Sequence, residues 1–219
     1  MKSKQNINEL VEHLSEFITK ERNEKINRVL ENRTRHLTVV LEDIYQPHNA
    51  SAVLRSCECF GVQDVHIIEN NNKFRINPDI VLGATKWLTI NKYTKQKHNT
   101  EECLNKLKNQ GYIIAATSLH EKSISLYDIN VSVKTALVFG TEMYGISEKV
   151  KEMTDVFVKI SMLGFTESFN ISVAVALSMF HFTTKMREFD VLWQLSKKEK
   201  NELKLNWIKR HLKNFKNLT

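Results

Sequence analysis

Three short segments hold the residues whose types and spacing could do chemistry. In Pro47-His48-Asn49-Ala50-Ser51-Ala52-Val53-Leu54-Arg55, a carboxamide stands six residues before a guanidinium. Asn49 reads either as the N-cap of the helix that follows or as a polar ligand. Arg55 falls away from that helix's apolar stripe and reads either as a solvent-facing charge or as part of a site. In Phe139-Gly140-Thr141-Glu142-Met143-Tyr144-Gly145-Ile146-Ser147, two glycines permit tight backbone geometry close to a ligand. Glu142 between them accepts bonds from a ligand or a neighbouring loop, or else serves first-turn helix electrostatics. The third segment, Ile160 to Asn170, is apolar and flexible at Gly164, and ends in Ser168 and Asn170 before a buried helix. Helix capping accounts for one of those two polar residues. Met162, Leu163 and Phe165 suggest an apolar pocket for a flat or thioether ligand.

Other chemistries lack their signatures. There is no Walker A sequence, no H-E-x-x-H, no C-x-x-C and no G-x-S-x-G. The glycines of Gly140 to Gly145 are five apart, which is not a dinucleotide fingerprint. Cys57 and Cys59 lack a second pair at zinc spacing, and on a helix they point about 200° apart. No metal site is expected.

Strands and helices must position these segments. Leu37-Thr38-Val39-Val40-Leu41 is a continuous apolar run, the mark of a strand buried on both faces. Runs of the same kind lie at 65–68, 112–116, 136–139 and 156–160, with a weaker one at 88–90. Helical spacing intervenes at 49–60, 100–109 and 170–186, with Gly61 and Gly111 as stops and Asn170 as an N-cap. This alternation predicts an α/β domain with a mostly parallel sheet flanked by helices, over 37–187. Ligands of such sheets bind beyond the carboxyl ends of strands, where all three segments fall.

The ends differ from the centre. Residues 6–31 carry an apolar stripe that predicts one helix, and a second is predicted over about 197–216, docked by its aromatic side. Net charge is +2 over residues 1–36, −1 over 37–182 and +6 over 183–219, for a total of +7. Basic ends on a near-neutral domain are what a polyanion-binding surface looks like, and also what a solubilising tail looks like. The extensions are taken as 1–36 and 188–219. Arg22, Lys25, Arg28, Arg33 and Arg35 on one, and Lys197, Lys198, Lys204, Lys209 and Arg210 on the other, are the residues expected to meet phosphates. Three cysteines exclude a disulfide scaffold and suit a reducing compartment. With no run of 18 apolar residues and no signal-peptide core, a soluble cytoplasmic protein is expected.

Taken in order, the three segments resemble the motifs of the SpoU (TrmH-type) RNA ribose 2′-O-methyltransferases of the knotted SPOUT class. Asn49 to Arg55 matches the first motif. Leu137 to Ile146 matches the second, a strand leading into F-G-x-E-x-x-G. Met162 to Ser172 matches the third, M-L-G-x-x-x-S-x-N-x-S. Leu41-Glu42-Asp43-Ile44-Tyr45-Gln46-Pro47-His48 and the pair Lys86-Trp87 also fit the tRNA-type branch. The likeness covers roughly residues 10–215. It departs from the family at Ser161, where Pro is usual, at Thr166-Glu167-Ser168-Phe169-Asn170, where V-Q-S-L-N is frequent, and in ends rich in Lys rather than Arg.

The resemblance implies a deep trefoil knot at the C-terminal part of the sheet, a homodimer, and S-adenosyl-L-methionine as cofactor. It implies methyl transfer to a ribose 2′-hydroxyl. The short helical ends look like those of tRNA enzymes acting on guanosine 18 of the D-loop; an rRNA enzyme and an RNA-binding homologue without catalysis are the alternatives. By the same resemblance, Thr117, Leu119, Gly140, Ile160, Met162 and Phe169 would hold the cofactor, Ile160 and Phe169 sandwiching its adenine. Arg55 takes the central catalytic role, as a phosphate clamp or as the base itself. Asn49 holds Arg55 or the ribose, within one chain or across the dimer interface, and Ser168 and Asn170 position Glu142 and the phosphate loop. His48 joins the RNA contacts.

Overall fold

The computed structural model describes residues 7–94, 98–118 and 122–216, with side chains described as far as residue 212. Two helices open the chain, α1 over Ile7–Ser15 and α2 over Lys20–Leu30. The single helix expected over 6–31 is broken between them. Glu16, Phe17 and Ile18 each donate their N–H to the carbonyl three residues back, which tightens the chain into a turn. Thr19 then restarts the helix as N-cap, its hydroxyl accepting from the Arg22 N–H at 3.2 Å. Phe17 at the break is 60% exposed instead of joining the buried stripe.

Residues from Arg35 to Trp193 form one compact unit. Its elements alternate: β1 Leu37–Glu42, α3 Pro47–Cys59, β2 Asp64–Ile68, α4 Pro78–Val81, β3 Thr89–Tyr93, α5 Asn99–Asn109, β4 Ile113–Thr117, β5 Ile124–Ser125, β6 Thr135–Phe139, α6 Glu148–Met153, β7 Val156–Lys159 and α7 Ile171–Glu188. The sheet order is β3-β2-β1-β6-β4-β7-β5, and its pairings are parallel. Apolar runs announce six of the seven strands; the two-residue β5 and the short α4 and α6 carry no periodic signal.

Alternation along the strands builds a core on each face of the sheet. Leu37, Val39 and Leu41 of β1 join Leu137 and Phe139 of β6 against Val53, Leu54 and Cys57 of α3 and Val175, Met179, Phe182 and Met186 of α7. Val40, Ala136, Val138, Ile114 and Ala116 face the other way, toward Cys103, Leu104 and Leu107 of α5 and Val150 of α6. Each such large side chain contributes about 1.5–3 kcal/mol by leaving water. Helix α7 is apolar on more than its buried side: Val173, Leu177 and Phe180 remain exposed.

The second unit takes the described residues up to Thr34 and from Gln194 on, with α8 over Lys197–Lys216. Leu203, Leu205, Trp207 and Ile208 of α8 are buried. Thr34 bridges Gln194 in antiparallel fashion, Lys200 pairs with Glu31 at 2.5 Å, and Asn201 donates to Asn8 at 2.6 Å. The two chain ends thus build one helical unit together. Among the described residues no helix is long and apolar enough to cross a membrane.

Candidate functional site

A cavity of about 620 Å³ opens at the carboxyl ends of β4, β6 and β7, a size suited to a small organic ligand. Its walls are the segment after β6, the segment after β7, Thr117 and Ser118 at the end of β4, and the start of α3.

Helix α3 begins at Pro47, with Gln46 as an N-cap that makes no side-chain cap bond. Proline suits that first position, because its missing N–H would lack a helical partner there anyway. Asn49 therefore lies inside the helix and is not its cap, a correction to that reading. Its buried side chain turns to the cavity instead. The Nδ2 group donates to Glu142 Oε1 at 2.8 Å and to Gln46 Oε1 at 3.2 Å, and Oδ1 accepts from Asn170 Nδ2 at 3.1 Å. Asn170 does cap α7: its Oδ1 accepts from the Ser172 N–H at 2.9 Å and the Ser172 hydroxyl at 2.6 Å. One polar group from each segment is thereby joined in the chain Asn170–Asn49–Glu142. An amide chain ending on a carboxylate orients that carboxylate.

The segment after β6 folds back on itself. Thr141 and Gly145 exchange two backbone hydrogen bonds, at 2.9 and 3.0 Å, and Gly145 takes φ 68°. A Cβ on Gly140 would fall on the Gly145 carbonyl, so only glycine allows this closure. Ser147 ends the segment and caps α6, its hydroxyl accepting from the Val150 N–H. Both its own polar groups are fastened to the buried Glu42: the hydroxyl donates to Oε1 at 2.8 Å and the N–H to Oε2 at 2.9 Å. Thr100 adds a third donor to Oε1 at 2.8 Å. Sequence reasoning did not single out Glu42, Thr100 or Ser147 as site supports. The available signal was a carboxylate closing a strand whose other residues are apolar or small, since a buried charge needs partners.

Of the residues expected to hold a cofactor, Thr117, Gly140, Ile160, Met162 and Phe169 line the cavity, and Leu119 lies outside the described residues. Ser168 lines it too. Leu163 and Phe165 do not: they stand fully exposed, so the apolar pocket owes its surface to Ile160, Met162, Phe169 and Ile146 instead. Arg55 is exposed on α3 and is not brought to this cavity. Six residues beyond Asn49 it points about 120° further round the helix and about 9 Å along it. His48, seven residues or about two turns before Arg55 on the same side of α3, is exposed too.

The expected phosphate contacts divide. Lys25, Arg28, Lys197, Lys198, Lys209 and Arg210 are exposed, and Arg22 is half-buried. Lys204 is half-buried, and desolvation lowers its pKa. Two must be corrected. Arg33 is 1% exposed and stacks on the Trp207 ring at 5.5 Å, so it packs the helical unit. Arg35 is held by Asp64 at 2.9 Å beside β2. Among the described residues no group of three or more His, Cys, Asp or Glu could hold a metal ion.

A family model described as the SpoU rRNA Methylase family matches residues 36–180. The tRNA (guanosine(18)-2′-O)-methyltransferase of Borreliella burgdorferi is 45% identical over 202 residues, spanning 92% of this chain and 91% of that protein. Among solved structures, the TrmH/SpoU tRNA modifying enzyme of A. aeolicus superposes with a TM-score of 0.78 at 28% identity, over 88% of this chain and 97% of the other. The SpoU methyltransferase AviRb of Streptomyces viridochromogenes, solved with AdoMet, shares the fold at a TM-score of 0.62 and 18% identity, over 74% and 65% of the two chains.

Proposed function

This chain belongs to the SpoU rRNA Methylase family, and on that premise we propose that it methylates the ribose 2′-hydroxyl of guanosine 18 in tRNA, with S-adenosyl-L-methionine as methyl donor. The observation that carries the reading is the Asn170–Asn49–Glu142 chain, which joins the three motifs at one cavity. The relatives' names supply the substrate and the cofactor.

The cavity suits the cofactor chemically. Ile160 and Phe169 offer apolar surfaces for an adenine, and the closed turn at Gly140–Gly145 brings backbone within reach of a ligand's polar edge. When bound, S-adenosylmethionine supplies a methyl already activated on its sulfonium. Glu142, held by Asn49, presents an oriented carboxylate to the cavity. Arg55 makes no hydrogen bond or ion pair among the described residues, which suits it to clamp the adjacent phosphate. A guanidinium offers only donors and no acceptor, so a phosphate oxygen or water takes the 2′-hydroxyl proton while Arg55 holds the strand.

The remaining parts of the reading follow from the same premise. The chain is a homodimer whose covered surface includes Val173, Leu177 and Phe180 of α7, and Arg55, turned from its own cavity, serves the site of the second copy. The segment after β7 completes a trefoil knot, a reading supported by the likeness to the A. aeolicus enzyme and by a strand order in which β4 separates β6 from β7. The exposed cations of the helical unit meet tRNA phosphates, and the work is cytoplasmic.

The test is transfer of tritiated methyl to total RNA, followed by nuclease mapping. Label should appear on the ribose of guanosine 18 in tRNA. Label in ribosomal RNA would make this an rRNA enzyme, and no label with no cofactor binding would leave an RNA-binding homologue. Arg55→Ala should lower turnover by about a hundredfold or more while cofactor affinity stays near wild type. Substantial activity in that variant would return Arg55 to the solvent.

A further inference from the structure

Residues 69–77, between β2 and α4, carry two exposed cations, Lys73 and Arg75. Neither makes an ion pair or hydrogen bond among the described residues. A third, Lys92 of β3, is exposed with its Nζ 5.8 Å over the Phe74 ring. These charges stand out in a section, residues 37–182, whose net charge is −1. Glu69 is occupied in accepting the Phe74 N–H at 3.0 Å, which leaves Asp79 as the exposed carboxylate nearest in sequence.

The segment is held in shape to an unusual degree. Asp43 takes a left-handed backbone, φ 54°, a region that Asp enters more readily than most residues with a Cβ. That places its Oδ1 to accept the N–H groups of Asn70, Asn71 and Asn72 at 2.7, 2.8 and 3.2 Å. Asn72 Nδ2 returns to the Asp43 carbonyl at 2.9 Å, and Asn70 Nδ2 donates to Thr100, which in turn donates to Glu42. At the far end the Asn77 N–H donates to Ser51 Oγ at 2.7 Å. Ser51 and Arg55 are four residues apart on α3, neighbours on one helix face. The ordered segment therefore ends one helical turn from Arg55, at the carboxyl end of the sheet where the cavity also opens.

We propose that Lys73 and Arg75 form a phosphate-binding ledge that receives the RNA strand beside Arg55. The inference rests on the reading of the chain as an RNA 2′-O-methyltransferase. Lysine supplies a point charge and arginine a fork that matches two phosphate oxygens. Such contacts set the register of the strand and carry no base preference, so they position the target nucleotide without selecting it. Pre-ordering matters here because a fixed ledge loses little conformational freedom when the strand arrives.

The experiment measures tRNA binding by the full-length Lys73→Ala/Arg75→Ala variant across a salt series, by filter binding. Affinity should fall about tenfold at low salt, and the slope of log affinity against log salt should shrink by about two, one for each lost phosphate contact. In turnover the loss should fall on the KM for tRNA. Cofactor affinity should keep its wild-type value, and Lys73→Arg/Arg75→Lys should restore most of the slope. Wild-type affinity and slope in the alanine variant would overturn the ledge. So would a loss of affinity with the slope intact, or an equal loss of cofactor affinity. Filter binding needs no turnover, which separates the two readings. A wild-type chain that binds tRNA through these residues but transfers no methyl would sink the proposed activity alone. A wild-type chain that methylates tRNA with no dependence on Lys73 and Arg75 would sink the ledge alone.

Discussion

The segments after β6 and after β7 line one cavity, yet the first is braced by its own hydrogen bonds and the second is not. Residues 140–147 close on themselves through Thr141 and Gly145, add a bond from the Tyr144 N–H to the Thr141 hydroxyl, and are fastened to Glu42 through Ser147. Residues 161–169 make no hydrogen bond among the described residues, and Leu163 and Phe165 are fully exposed. Both are short strand-end connections with a central glycine or two, so composition does not separate them. What separates them is a buried carboxylate under one and nothing comparable under the other. A preformed wall costs little to use when a ligand arrives, whereas the open wall must lose conformational freedom then. The cavity thus pairs a wall tied down by hydrogen bonds with a wall that makes none among the described residues.

The sharpest way to break this contrast is Gly140→Ala. The added methyl meets the Gly145 carbonyl, so the turn must open and give up two backbone hydrogen bonds. At about 1 kcal/mol for each bond plus about 1 kcal/mol of strain, cofactor affinity measured by calorimetry should fall by about a hundredfold or more. Near-normal affinity would mean that the closed turn is not the binding wall.

Glu42→Gln is the next largest. It leaves the Ser147 N–H and the hydroxyls of Ser147 and Thr100 facing an amide that offers one acceptor where a carboxylate offered two. A loss of about 1–3 kcal/mol in urea unfolding is expected, with weaker cofactor binding. Ser147→Thr keeps both the hydroxyl and the helix cap and should bind cofactor nearly as wild type does. If Glu42→Gln loses stability while its cofactor affinity is unchanged, Glu42 supports the fold and not the wall.

The open segment should behave oppositely. Leu163→Ser with Phe165→Ser removes two side chains that bury nothing, so unfolding free energy should change by less than about 0.5 kcal/mol. Chymotrypsin should cut after Phe165 well before Tyr144, although both rings are exposed, and added cofactor should slow the first cut. Earlier cleavage at Tyr144 would reverse the assignment of fixed and open walls.

Acid should have the smallest effect on the contrast, because the shifted histidine sits elsewhere. His66, buried in β2 against Tyr93, has its pKa lowered from 6.5 to about 4 by desolvation, with Lys106 adding to the effect. The folded state thus prefers the neutral ring. Its contribution to stability is complete above pH 6.5 and is lost as pH falls toward about 4, where the unfolded chain alone has taken up the proton. Thermal melts over that range should show the decline, and His66→Gln should flatten it.

Much of the framework is legible in the residues themselves. Continuous apolar runs announce strands buried on both faces, three- and four-residue spacing announces α3, α5, α7 and α8, and Gly61 and Gly111 stop helices with positive φ as expected. These signals are legible because they are local: a strand or helix repeats its own geometry every two or every 3.6 residues. The motif order also points to the cavity, since all three segments follow strands and a parallel sheet gathers its strand ends on one side.

Tertiary structure alone decided the partners. Asn49 has the composition of a cap, but Gln46 and Pro47 start the helix earlier, and its side chain meets Glu142 and Asn170, residues 93 and 121 positions away. Arg33 and Arg35 count equally as cations in a charge sum, yet one is stacked under Trp207 and the other paired with Asp64. The stripe over 6–31 reads as one helix, yet Thr19 divides it. Asp43 and Glu42 are adjacent, and each fastens a different strand-end segment because β1 lies between β2 and β6. The physical reason is common to all of these. Periodicity reports what a residue's own backbone does, while a hydrogen bond or ion pair depends on which distant strand the sheet sets beside it. That strand order has no local signature in the chain.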